Sequence, residues 1–139
     1  MVDIQFSFES VDLSGPVREA EAPQTSAALE SILPLETELL HVRWSGYAVW
    51  ADIEEIDLPD LPRENHTVYP SRGDVLLYPG FENVQEILLA CGSTCFKSPA
   101  GEIAGNHVAT LDVSEETLRE LEERTLQDGA QDVTIRLVE

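Results

Sequence analysis

RWSGYAVWADI (residues 43–53) and YPSRGDVLLYPG (residues 69–80) are the two segments from which the architecture is read. Residues 47–53 form a strand returning from a Ser45–Gly46 turn, after a first strand over residues 37–44. Gly73–Asp74 opens a second apolar strand, Val75 to Tyr78, and Pro79–Gly80 closes it. Between the two segments, Pro59, Pro62 and Pro70 mark residues 54–72 as loop. Arginine, tryptophan and tyrosine between Gly and Pro punctuation suit a pocket for a planar or anionic ligand. A guanidinium can clamp a carboxylate through two parallel hydrogen bonds, and aromatic rings can wall it in.

The flanking sequence continues in strands. Ile4, Phe6 and Phe8 alternate with Gln5, Ser7 and Glu9, the period of a half-buried strand. The two prolines of SGPVREAEAPQ make it a loop or a short second strand. TSAALESIL predicts a helix with Thr25 or Ser26 as N-cap, Ala28, Leu29, Ile32 and Leu33 on one face, and Pro34 as its stop. Residues 85–90 and 104–113 are further strands, with a turn over 96–101. Ser114 caps a second helix over residues 115–128, ended by Gly129. Its acidic first turn and its later Arg119 and Arg124 suit the helix dipole. Val133, Ile135 and Leu137 alternate in a last strand. Seven or eight short strands against two helices predict a mainly β fold, a small β-barrel closed by pairing of its first and last strands and capped by the helices. The length of 139 residues predicts a single domain, residues 1–139.

Charge narrows the partners. With 27 acidic against 8 basic residues the net charge is −19, which repels nucleic acid and anionic lipid. The basic residues are seven arginines and Lys97. An acidic, lysine-poor surface fits a high-salt cytoplasm; an acidic protein from an Arg-rich, GC-rich genome is the alternative. No apolar run approaches the ~20 residues that span a bilayer. MVDIQFSFES has no basic segment followed by an apolar one, so no signal peptide is expected and the cytoplasm is the default location. Cys91 and Cys95 read as small apolar residues near a strand, because two thiols do not make a structural zinc site. No phosphate loop, Ser–His–Asp order or metal-ligand spacing is present, so neither cofactor nor metal is expected.

The candidate ligand-binding residues are Arg43, Trp50, Tyr69, Tyr78, Asn106 and His107. Arg43 supplies either an anion clamp or, against a prolyl amide, an electrostatic catalyst; a surface ion pair is the plain alternative. Of Trp44 and Trp50, one fills the barrel and the other lines the pocket mouth, unless both are core. Tyr69 and Tyr78 each precede a proline and either offer hydroxyls or tuck under a loop. Asn106–His107 heads a strand behind Gly105, and a histidine there titrates near neutral pH unless the backbone satisfies it. Glu86 inside VQEILLA faces solvent or pairs with an arginine inside the barrel, the solvent-facing position being favoured. His41 and His66 read as incidental.

The order of strand, Pro23-Gln24-Thr25 helix and strand ending at Arg43 resembles the cyclophilin fold. RWSG (43–46), the Trp50 strand, YPSRGDVLLYPG (69–80), AGNH (104–107) and QDGAQD (127–132) make nearly the whole chain similar to a prokaryotic group of cyclophilin-like proteins of unknown function. Proline isomerases of the cyclophilin family carry a Phe-His-Arg strand, here His41-Val42-Arg43, and two glutamine- and glycine-rich motifs that are absent here. The resemblance therefore implies the barrel more than the isomerase. The expected function is binding of a small anionic molecule in a pocket lined by arginine and aromatics. Peptidyl-prolyl isomerisation is one alternative. A non-catalytic interaction module, with a second copy of the chain as partner, is another.

Overall fold

The computed structural model describes residues 2–99 and 101–139. Nine strands form one sheet: β1 (Asp3–Phe8), β2 (Val11–Pro16), β3 (Leu35–His41), β4 (Gly46–Asp52), β5 (His66–Thr67), β6 (Asp74–Tyr78), β7 (Glu86–Thr94), β10 (Gly105–Thr110) and β11 (Gln131–Val138). A two-residue pair, β8 (Lys97–Ser98) and β9 (Gly101–Glu102), stands apart as a small hairpin where a plain turn is expected. The helices are α1 (Pro23–Ile32) and α2 (Glu115–Asp128). Every strand pairing is antiparallel, in the order β2-β1-β11-β3-β4-β7-β6-β10-β5. The first and last strands are neighbours, as expected: Ile4 lies opposite Leu137 and Phe6 opposite Ile135.

The sheet curls until its far ends meet. Val17, just past β2, bridges Ala109 of β10, and the Arg18 and Asp112 amides donate to Val108 and Ser14 carbonyls across the seam. Gly15 permits that approach, since a Cβ there would sit 2.0 Å from the Thr110 carbonyl oxygen. The result is a mainly β, barrel-like fold with two helices.

The centre of the sheet is buried on both faces, which is why VLLY and EILLA run apolar without alternation. Val49, Val75, Leu77, Ile87 and Leu89 face inward with Ile4, Phe6, Leu39 and Ile135. Ala48, Leu76, Tyr78, Leu88 and Ala90 face the other way and are covered by Phe96 and Ile103 from the β8–β9 hairpin. Trp50 packs half-buried on this second layer, whereas Trp44 is 54% exposed and donates its Nε1 hydrogen to the Lys97 carbonyl, so neither fills the barrel.

Two helix details differ from expectation. α1 begins at Pro23, a residue whose missing N–H is harmless at the first helical position. Thr25 and Ser26 therefore lie inside the helix, buried, and Ala22 makes no side-chain cap. In α2, Ser114 accepts from the Thr117 amide as a cap should, but no basic residue occupies the last turn. Arg119 and Arg124 instead pair with Glu115 and Glu120 one turn back. No helix among the described residues is long and apolar enough to cross a membrane.

Candidate functional site

α2 packs on the sheet through Leu118 and Leu121, both 1% exposed. The same buried face carries Glu122. A carboxylate at a core position of a helix is costly unless paired. Its partner is His41 at the end of β3, with Nε2 2.6 Å from Glu122 Oε2. The other ring nitrogen, Nδ1, accepts the Arg43 amide hydrogen at 2.8 Å. These two bonds fix the tautomer: Nε2 carries the proton and donates it to Glu122. Glu122 Oε1 has no hydrogen-bond partner among the described residues.

Glu122 lines a cleft of about 390 Å³ between α2 and strands β4 and β7. Tyr47 forms one wall and packs over Gly92, while Cys91 and Ser93 continue the strand side. Burial, and then the charge of Glu122, push the Cys91 thiol up to about 12, so sulfur stays a protonated, weakly donating wall atom rather than a thiolate. Arg72 and Arg119 stand in the cleft lining and share a single acid, at 3.5 Å and 3.1 Å from Glu115. Each of those pairs is about half exposed and weak by itself. The cleft thus offers two exchangeable guanidinium groups, an oriented carboxylate and an aromatic wall.

The residues singled out from sequence are distributed differently. Arg43 follows β3 with left-handed backbone (φ 50°), and among the described residues its guanidinium reaches only the Leu126 carbonyl of α2, at 3.4 Å. Tyr69 is 67% exposed beside Cys95 and Glu102. Tyr78 is fully buried against Phe81 and Phe96, and its hydroxyl accepts the Glu82 amide hydrogen. Asn106 is fully buried; its Nδ2 donates to Thr25 Oγ1 and the Pro62 carbonyl, and its Oδ1 accepts from the Glu64 amide. His107 sits at the seam, 3.1 Å from Asp74 Oδ1 and 2.9 Å from Thr110 Oγ1. Burial would raise the Asp74 carboxyl, but hydrogen bonds from His107, the Ser71 amide and Thr110 hold it below its ordinary value. None of these six, Trp50 included, lines the cleft.

Glu86 does not face solvent, and among the described residues no arginine pairs with it. It is 5% exposed in the outer layer, in one row with Asp52 and Tyr78. Burial, with Asp52's charge second, raises its carboxyl to about 8. The sequence signal for the cleft was Glu122 itself, an acid on the Leu118–Leu121 stripe. His41 carried no such mark.

The chain is similar in fold to McbB, seen in complex with tryptophan, with TM-score 0.71 and 13% identity over 98% of this chain and 44% of McbB. The chain thus spans less than half of McbB's length. It is also similar to the hypothetical protein AF2241 from Archaeoglobus fulgidus, known in solution, with TM-score 0.61 and 19% identity over 97% of this chain and 93% of that one. At these identities the likeness is one of fold. Comparison with curated proteins gives no match. Residues 4–137 match DUF3830, described as a protein of unknown function, and the chain belongs to that family.

Proposed function

We propose that the chain binds a small anionic molecule in the α2 cleft, specifically a carboxylate that also carries a hydrogen-bond donor. One observation carries this reading: two guanidinium groups share Glu115 in the lining while the buried Glu122, oriented by His41, keeps one oxygen free. The ligand carboxylate takes Arg72 and Arg119 from Glu115. Its amino or hydroxyl group donates to Glu122 Oε1, and its apolar part lies on Tyr47. The cyclophilin-like motifs are kept as the finer description of the barrel.

Calorimetric titration with small carboxylates, with and without amino or hydroxyl substituents, tests the proposal. Tryptophan belongs in the panel because McbB, which shares the fold, is seen with it. The donor-bearing acids are expected to bind more tightly than their plain counterparts. Arg72→Gln and Arg119→Gln should each weaken binding by about tenfold, the scale of one charged hydrogen bond. Glu122→Gln should erase the preference for a donor. Unchanged affinity in the Arg72→Gln, Arg119→Gln double variant would remove the cleft.

The Arg43 clamp is the second reading. It is favoured by the absence of any carboxylate partner for this guanidinium among the described residues and by its left-handed backbone. Arg43→Ala separates the two: loss of binding there, with the double variant unaffected, moves the site to Arg43.

A further inference from the structure

At the other helix a larger cavity, about 760 Å³, lies between α1, the turn into β3, the start of β1 and the end of β11. Its volume falls in the roughly 300–1,000 Å³ range of small-molecule sites. Val17, Leu33 and Leu137 give it an apolar floor. Ser26 stands in its wall, and Ser26 Oγ is the one buried side-chain polar atom among the described residues without a hydrogen-bond partner. A helical serine ordinarily bonds a carbonyl one turn back, as Ser31 does with Ala28. Rotation about χ1 can carry the Ser26 hydroxyl from wall to cavity.

Glu30, four residues on, lies on the same helix face as Ser26 and also lines the cavity. Glu19 lines the cavity as well. Neither acid has an ion-pair or hydrogen-bond partner among the described residues. The one cation in the lining, Arg136, is engaged through Nε with Gln5 Oε1. With Glu139 also in the lining, the acids outnumber the one cation and the lining is net negative.

We propose that this cavity is a second ligand site, for a small hydrophobic amine. The ammonium donates to Ser26 Oγ and to the Glu30 carboxylate, and the apolar body covers the floor. This does not depend on the α2 cleft.

The test is a titration of the isotopically labelled protein with 2-phenylethylamine, followed by amide chemical shifts, with 2-phenylethanol and 3-phenylpropionate as neutral and anionic counterparts. Saturable shifts are expected in α1 and at residues 136–137, with the amine about fivefold tighter than either counterpart. Ala27 is exposed on α1 and lines the cavity, so Ala27→Trp should fill it and abolish the shifts. Glu30→Gln, at an exposed position, should weaken the amine about fivefold and leave the alcohol unchanged. The proposal is overturned by an absence of saturable shifts up to about 10 mM amine, by equal affinity for phenylpropionate, or by wild-type amine affinity in Glu30→Gln. Shifts in α2 alone would overturn this site, and would support the α2 cleft only where phenylpropionate causes them.

Discussion

Asn106 and Glu122 are both buried polar residues at a helix–sheet junction, and they differ in what they leave unpaired. Asn106 uses both amide hydrogens and its carbonyl oxygen, tying α1 through Thr25 to the proline loop through Pro62 and Glu64. Glu122 has one oxygen bonded to His41 and the other without a partner among the described residues, and the residue lines a cleft. A saturated network fixes the position of chain segments and has nothing left for a ligand. A half-used one, held in orientation by a neighbour, retains bonding capacity that only an incoming molecule satisfies. On this contrast Asn106 is structural and Glu122 is available for chemistry.

The contrast is broken most sharply at Asn106. Asn106→Ala leaves the Thr25 hydroxyl, the Pro62 carbonyl and the Glu64 amide without their partner, and should cost about 3 kcal/mol in urea denaturation. A loss below about 1 kcal/mol would show that water or rearrangement replaces the network. The affinity for the carboxylate panel should not change.

Glu86 provides the third case, a buried carboxyl with no partner among the described residues. Its folded value of about 8 lies above the ordinary 4.5, so the unfolded chain releases this proton first as pH rises. Stability from this group is therefore intact below about pH 4.5 and is lost progressively up to about pH 8. Glu86→Gln should gain on the order of 2 kcal/mol at pH 8 and nothing at pH 4. An equal effect at both would mean that Glu86 contributes through packing instead.

Asp74 runs in the opposite direction and has a smaller effect. Its folded value is held below the ordinary one, so its contribution is present above the unfolded value and vanishes as pH falls through the folded one. Asp74→Asn should cost about 1 kcal/mol at pH 7, and the difference from the native chain should shrink towards pH 3. A pH-independent difference would assign the seam's strength to hydrogen-bond geometry rather than charge. The last expected effect is none: micromolar protein should leave the tens-of-seconds cis–trans relaxation of an X-Pro peptide unchanged. Acceleration removed by Arg43→Ala would make Arg43, not Glu122, the chemical centre.

Local pattern was enough for most of the strands. The alternation of Ile4, Phe6 and Phe8, the uninterrupted VLLY and ILLA runs, and the Ser114 cap and Gly129 stop of α2 each depend on neighbours a few residues away. Hydroxyl residues favour N-caps, so the sequence points to Thr25 or Ser26 as the start of α1; the same residue types also serve buried networks, and only the approach of Asn106 to Thr25 separates the two uses. The site divides the same way. Tyr47 and Arg72 lie within the Arg- and Tyr-rich segments, but Arg119 and Glu122 come from α2 and His41 from β3. Residue type and periodicity along the chain thus set which segments are strands or helices and which face each buries. Which charged groups meet depends on the register of nine strands and on how far the sheet curls before Val17 reaches Ala109. Those quantities come from the packing of the whole core, so separations such as the 81 residues between His41 and Glu122 leave no mark in any local window.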